Sequence, residues 1–221
     1  MATKRVLVVG GSPEPAPPAL MASLAASCDK VCAVDRGYDA LRAAVIEPDL
    51  FCGDCDSLSR EGSTALQRLL GSGACEVERY NPDKDFTDLD LALRAVRDRW
   101  AGADAIVTCI SGGRPDHFLA AMGRLASHAR DPLSGHVSVR ESSYQARVLC
   151  QGDAWDIEDA AGSTFSMVPL APSTVSERGM KWEIDHACCE ALSDLGISNV
   201  VTSGFARIEC HEGIVMAFLI D

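Results

Sequence analysis

Leu50-Phe51-Cys52-Gly53-Asp54-Cys55-Asp56-Ser57 is the stretch that decides the fold, because three apolar residues in a row run straight into an acidic turn. A strand apolar at every position is buried on both faces, as in a parallel sheet covered by helices. The same texture recurs to either side. Residues 6–9 (Val-Leu-Val-Val) end in Gly10-Gly11-Ser12, and residues 31–34 end in Asp35-Arg36-Gly37. Residues 104–110 carry Ala105-Ile106-Val107-Thr108-Cys109-Ile110 ahead of Gly112-Gly113. Helical patterns separate these runs at 18–27, 38–45, 62–70, after Phe86 and at 115–129, with a further short strand at 75–77. Strand and helix in alternation predict an α/β domain with a Rossmann-like parallel sheet.

Two helix starts have a chemical signature. Thr87 is suited to an N-cap, with Asp90 three residues on to help satisfy the first-turn amides, and Leu89, Ala92, Leu93 and Val96 make one apolar stripe. Pro115 fits an early helical position, where no amide partner is required. Beyond Asp131-Pro132-Leu133-Ser134-Gly135 the texture changes. Short runs at 137–139, 146–150, 165–170, 200–201 and 214–220 are separated by Gly, Pro, Ser and Asp. That pattern predicts an antiparallel β-sandwich or small barrel, with one short helix at 186–194. The expected division is residues 1–134 as the α/β domain and 135–221 as the β domain.

Composition narrows the function classes. The 221 residues are 47% hydrophobic and carry a net charge of −12, with a pI near 4.8. That balance supports a sizeable core and argues against a nucleic-acid-binding surface. The ten cysteines are scattered along the chain, which argues against a structural zinc site; Cys32, Cys52, Cys109 and Cys150 sit in apolar runs and read as buried free thiols. No membrane-length apolar run occurs, and the first residues lead directly into a strand, so a cytoplasmic protein without membrane partners is expected.

The polar residues at the strand ends suggest chemistry. Asp54 and Asp56, one residue apart in an irregular turn, can approach one hard cation such as magnesium, which prefers oxygen ligands and keeps phosphates in its shell. The competing reading is a solvated turn in which Asp56 or Ser57 caps the next helix. Asp35, Asp85 and Asp88 strengthen the first reading, since open parallel sheets place ligands beyond the carboxyl ends of their strands. Lys84 can counter polyphosphate charge and Arg114 can grip phosphate oxygens with a planar fork. Gly112 and Gly113 permit close backbone approach, Asp116 can orient Arg114 or meet substrate, and His117 reads as structural. No GxGxxG or GxxxxGK[ST] loop occurs, and Ser57 lacks a GxSxG setting.

Taken in order, Asp35-Arg36-Gly37, Gly53-Asp54-Cys55-Asp56-Ser57, Lys84-Asp85-Phe86-Thr87-Asp88 and Gly113-Arg114-Pro115-Asp116-His117 resemble the thiamine pyrophosphokinase family. The likeness continues in Arg178-Gly179-Met180-Lys181-Trp182 and Gly196-Ile197-Ser198-Asn199. Arg36, Cys55 and Val200 depart from the family's usual residues. The resemblance implies an α/β nucleotide-binding domain, a C-terminal β-sandwich that binds thiamine, and a homodimer with sites at the interface. It implies a magnesium-dependent enzyme that transfers the β,γ-pyrophosphoryl group of ATP to the thiamine hydroxyl, giving thiamine diphosphate and AMP. It further implies that Asp54, Asp56 and Asp85 bind magnesium and, with Arg114, serve catalysis. Lys84, Thr87 and Asp88, with Arg114, would face ATP. Asp35, Asp116, Ser198 and Trp182 would face the substrate, with Trp182 acting across the dimer. Two other readings share the acids: a pyrophosphokinase acting on a hydroxymethyl pterin, and a nonenzymatic nucleotide- or thiamine-binding regulator.

Overall fold

The computed structural model describes residues 3–81 and 85–220 and divides the chain into two compact units. The first comprises residues 1–124 and 131–137, and the second comprises 125–130 and 138–221.

In the first unit, strands and helices alternate as expected: β1 (Arg5–Val9), α1 (Pro18–Ala26), β2 (Lys30–Val34), α2 (Gly37–Ala43), β3 (Leu50–Gly53), α3 (Arg60–Ser72), β4 (Glu76–Arg79), α4 (Asp88–Arg99), β5 (Asp104–Thr108) and α5 (Pro115–Ala129). The strands lie in the order β5-β1-β2-β3-β4, all neighbours parallel. Alternate residues point to opposite faces of a strand. Leu7, Val9, Val31, Ala33 and Phe51 therefore join Met21, Leu41, Leu66 and Leu69 of α1, α2 and α3 in one apolar cluster. Val6, Val8, Cys32, Val34, Leu50 and Cys52 are equally buried on the other face, where α4 packs on β1, β2 and β3. Burial on both sides is why the strand sequences lack alternation.

Helix α4 starts as its sequence predicts, but with one role exchanged. Thr87 is the N-cap and its hydroxyl accepts the Asp90 amide at 3.3 Å. The Asp90 carboxylate turns instead to the side chains of Arg94 at 2.7 Å and Arg124 at 3.5 Å. Helix α3 is capped by Ser59, which accepts from Gly62 N, so neither Asp56 nor Ser57 fills that place.

The second unit is built from β6 (Val137–Arg140), β7 (Tyr144–Cys150), β8 (Ala154–Glu158), β9 (Thr164–Pro169), β10 (Ser173–Arg178), β11 (Ile184–Cys189), β12 (Asn199–Val200), β13 (Phe205–Glu212) and β14 (Ile214–Ile220). One layer has the order β6-β7-β14-β9-β12 and the other β11-β10-β13-β8. Leu149, Phe165, Met167, Val215 and Leu219 of the first layer share a core with Trp155, Ile157, Val175, Ala206 and Ile208 of the second. This is the sandwich alternative of the expected β architecture.

The helix expected at 186–194 is absent: Ile184–Cys189 is a strand, followed by turns. Ala187, Glu190, Ala191 and Leu192 favour helix locally, yet pairing of β11 with β10 overrides them. A register shift between Val175 and Glu177 and a left-handed His186 (φ 46°) mark the irregularity that hid this strand's alternation. The ten cysteines are free thiols; Cys32, Cys52 and Cys109 are buried and Cys150 is half-buried.

Candidate active site

The carboxyl ends of the parallel strands surround a cleft of about 760 Å³. Each wall follows from a strand end. Gly10, Gly11 and Ser12 follow β1, and Asp35 and Arg36 follow β2. Asp54, Asp56 and Ser57 follow β3, Asp85 to Asp88 open α4, Gly112, Gly113 and Arg114 join β5 to α5, and His117 stands in the first turn of α5. Gly37 lets α2 start directly against β1, because a Cβ there would stand 2.0 Å from the Val9 carbonyl oxygen. Gly112 and Gly113 take left-handed φ angles of 83° and 68° that a side chain would strain.

Asp35, Asp54 and Asp56 each offer a carboxylate oxygen within 4.8 Å of the others. Asp85 lines the cleft but stands outside this closest group, which holds Asp35 instead. Asp35 organises the turn opposite it. Its two oxygens accept from the Cys55 amide at 3.2 Å and the Ser57 hydroxyl at 3.0 Å. Asp54 accepts the Asp56 amide at 3.2 Å, curling the turn on itself. One helical turn beyond Asp35, Asp39 accepts from the Ser59 amide at 2.8 Å and the Ser59 hydroxyl at 2.7 Å. Asp35 after β2 and Asp39 in α2 thus hold the β3–α3 turn at two points. Asp39 and Ser59 were invisible as site residues in the sequence; the only signal was the four-residue spacing from Asp35.

Strain and charge collect at the same strand ends. Asp35 (φ 50°), Cys55 (φ 71°) and Cys109 (φ 58°) all adopt left-handed backbone. Non-glycine residues there cost of order 1–3 kcal/mol each and concentrate at functional sites. Burial, followed by the charges of Asp88 and Asp54, pushes the Asp35 pKa up to about 6 against the opposing Ser57 hydrogen bond. The acidic side of the cleft therefore has an excess of negative charge that a hard cation would neutralise.

The opposite side is balanced. The Arg114 fork donates to both Asp116 oxygens, at 3.1 and 2.5 Å. This partner holds the Asp116 pKa down at about 2, in an exposed setting. Asp116 does not itself line the cleft. Phe86, which does, carries the Arg94 guanidinium 4.3 Å from its ring centre. Thr87 and Asp88 line the cleft beside it, while Lys84 lies outside the described residues.

Ser198 and Trp182 belong to the second unit, not to this cleft. Both are exposed, Trp182 by 55%. The Lys181 ammonium stands 4.5 Å from the Trp182 ring centre, so the indole already meets a cation. Ser198 takes a left-handed φ of 57°, and its amide donates to Ser166 Oγ at 3.0 Å.

Comparison with known proteins follows the same two-part division. The family model for the thiamin pyrophosphokinase catalytic domain matches residues 21–133. That for the thiamin pyrophosphokinase vitamin B1 binding domain matches residues 156–215. The thiamine pyrophosphokinase of Bacillus subtilis (strain 168) is 26% identical over 186 residues, covering 83% of each chain. The fold is similar to the crystal structure of a Bacillus subtilis thiamine pyrophosphokinase, with a TM-score of 0.81, 23% identity, and coverage of 98% of this chain and 99% of that one. It is likewise similar to the Candida albicans thiamin pyrophosphokinase, with a TM-score of 0.81, 18% identity, and coverage of 98% and 90%. With the catalytic model spanning more than half of the chain and the acid-lined cleft within that span, the chain belongs to the thiamin pyrophosphokinase family.

Proposed function

We propose that this thiamine diphosphokinase takes its diphosphoryl group from ATP and releases AMP. The convergence of Asp35, Asp54 and Asp56 at the mouth of the parallel sheet carries the reading, because three carboxylates so close together suit a divalent cation and its polyphosphate ligand. Asp54 and Asp56, joined by Asp35 or Asp85, would hold magnesium; when bound it supplies charge neutralisation and alignment of phosphate oxygens.

The protein's own contribution is positioning. The thiamine hydroxyl oxygen attacks the β-phosphorus in line and gives up its proton to solvent. The bond from that phosphorus to the oxygen bridging it to the α-phosphate breaks, and AMP departs with the bridging oxygen. Arg114 exchanges its Asp116 partner for phosphate oxygens, which its planar fork fits in the same two-point manner. The first-turn amides of α4 and α5 and the exposed backbone at Gly112-Gly113 favour the same anion. Lys84 adds a positive charge to counter that of the polyphosphate. Holding the reactants in line accounts for most of the acceleration.

The second unit supplies thiamine contacts through Ser198 and Trp182. An aromatic face attracts the cationic thiazolium and stacks on the aminopyrimidine. The enzyme acts as a homodimer, and the exposed Leu192, Leu195, Ile197 and Phe205 suit burial by a second copy. Light scattering coupled to gel filtration tests this, with a monomer at micromolar concentration ruling it out.

The decisive experiment is AMP formation from ATP and magnesium, with and without thiamine, resolved by chromatography. Thiamine-dependent AMP matched by thiamine diphosphate is expected. ADP with thiamine monophosphate would overturn the proposed group transfer.

A further inference from the structure

Glu177 on β10 is fully buried, with 0% exposure, inside the sandwich unit. Burial pushes its pKa up to about 7, opposed by the Asn199 hydrogen bond. Nothing in the diphosphoryl transfer uses it. Its Oε2 accepts from Asn199 Nδ2 at 2.9 Å. Its Oε1 has no hydrogen-bond partner among the described residues and faces Gly196, where a Cβ would stand 3.0 Å away.

Asn199 explains why a carboxyl is kept there. Residues 179–182 run beside 199–202 in a short ladder: Thr202 N donates to Gly179 O at 3.0 Å, and Lys181 N donates to Val200 O at 2.8 Å. At Trp182 the ladder ends and the Asn199 carboxamide replaces it. Its Oδ1 accepts the Trp182 amide at 3.1 Å, and its Nδ2 donates to the Trp182 carbonyl at 2.7 Å. Oδ1 also accepts the Val200 amide at 2.9 Å. With the Glu177 bond, both donors and both acceptor sites of the carboxamide are engaged. Glu177 takes the one remaining amide proton and so fixes which end of the carboxamide faces which backbone group of Trp182. Asn199 is also the immediate neighbour of Ser198, so one buried pair lies behind both exposed residues.

We propose that Glu177 is a positioning residue for thiamine, acting through Asn199 to hold the Trp182 backbone where the indole can receive the substrate. This rests on the reading of Trp182 as a thiamine contact. Glu177 touches neither substrate nor reacting atoms, so it acts on thiamine affinity alone.

The test is steady-state kinetics of the full-length enzyme with each substrate varied separately. Glu177→Leu is expected to raise the thiamine KM about tenfold, with kcat and the ATP KM changed less than twofold. Glu177→Gln, which keeps an acceptor for Asn199, should restore the thiamine KM to within threefold of the parent. Asn199→Ala should raise the thiamine KM at least as much, and adding Glu177→Leu to it should change nothing further, because the two act in series. An unchanged thiamine KM in Glu177→Leu overturns the proposal, as do equal losses for both substrates or additive effects in the double variant. Should Glu177→Leu not fold, Asn199→Ala carries the test, and an unchanged thiamine KM there overturns it. Trp182→Ala separates the two layers. If it leaves the thiamine KM unchanged, the contact itself is wrong and the positioning falls with it. If it raises that KM while the Glu177 and Asn199 variants do not, only the positioning is wrong.

Discussion

Asp35 and Glu177 are both carboxyls driven up by burial, one to about 6 and the other to about 7, yet their surroundings differ in kind. Asp35 stands at the open end of a parallel sheet among Asp54, Asp56 and Asp88, and its causes include the charges of like groups. Glu177 lies closed within a sandwich, with burial its raising cause and one amide its partner. A raised acid among other acids in a cleft is set up to meet a cation. A raised acid alone in a core is set up to hold a neighbour still. The pKa direction does not separate the two roles; the company does.

The largest consequence falls on the acidic cluster. Asp56→Ala should lower turnover by roughly two to three orders of magnitude, the scale for losing one group that stabilises transition-state charge. Circular dichroism should stay that of the parent, because Asp56 is exposed and packs no core. Retained activity would break the comparison at its first term, leaving the cluster as a solvated turn.

The second consequence concerns Glu177 and proton linkage. A carboxyl whose folded pKa lies above its unfolded one stabilises the fold fully below the unfolded value. That contribution is lost as pH rises through the folded value. For Glu177 the window runs from the ordinary 4.5 to about 7. The loss amounts to about 3 kcal/mol at its upper bound. Glu177→Gln cannot ionise, so its stability relative to the parent should rise between pH 5 and pH 8. Urea unfolding of both proteins at those two pH values measures the difference. A gap independent of pH would mean that Glu177 is ionised throughout and paired more fully than its single amide bond suggests.

The two regions also differ in how far the sequence announces them. The first unit reads openly because strands buried on both faces have no alternation to disguise, and its polar residues cluster at strand ends by the logic of the fold. Thr87 as a cap and Pro115 opening α5 were legible because capping is local chemistry. Asp39 and Ser59 were not, since their meeting depends on two loops arriving at one place. In the second unit, β10 and β11 are bulged against each other, so the period of two breaks where Glu177 sits. The resemblance there runs through Trp182 and Ser198, and Asn199 enters it only as the end of a motif. Its four hydrogen bonds, and the buried acid behind them, exist only once the strands pair.

The smallest effect distinguishes the two kinds of buried acid most sharply. The Asp54 charge raises the Asp35 pKa, so the two carboxylates oppose each other when no cation is present. Asn at position 54 removes that charge while keeping an oxygen to accept the Asp56 amide. In chelator at pH 8, Asp54→Asn should therefore match or exceed the parent, by up to about 1 kcal/mol, the scale of a solvent-screened charge pair. In magnesium the order should reverse. The parent gains the full binding term, about 2.7 kcal/mol at a cation concentration one hundred times the dissociation constant, and the variant gains less. Thermal unfolding in the two buffers reads the crossing directly. A variant less stable than the parent in both would mean that Asp54 is already compensated within the protein, and the cleft would then resemble the closed Glu177 site more than a cation-binding one. Magnesium should have no such effect on the Glu177→Gln comparison, because that carboxyl is sealed in the core and needs no ion to be tolerated.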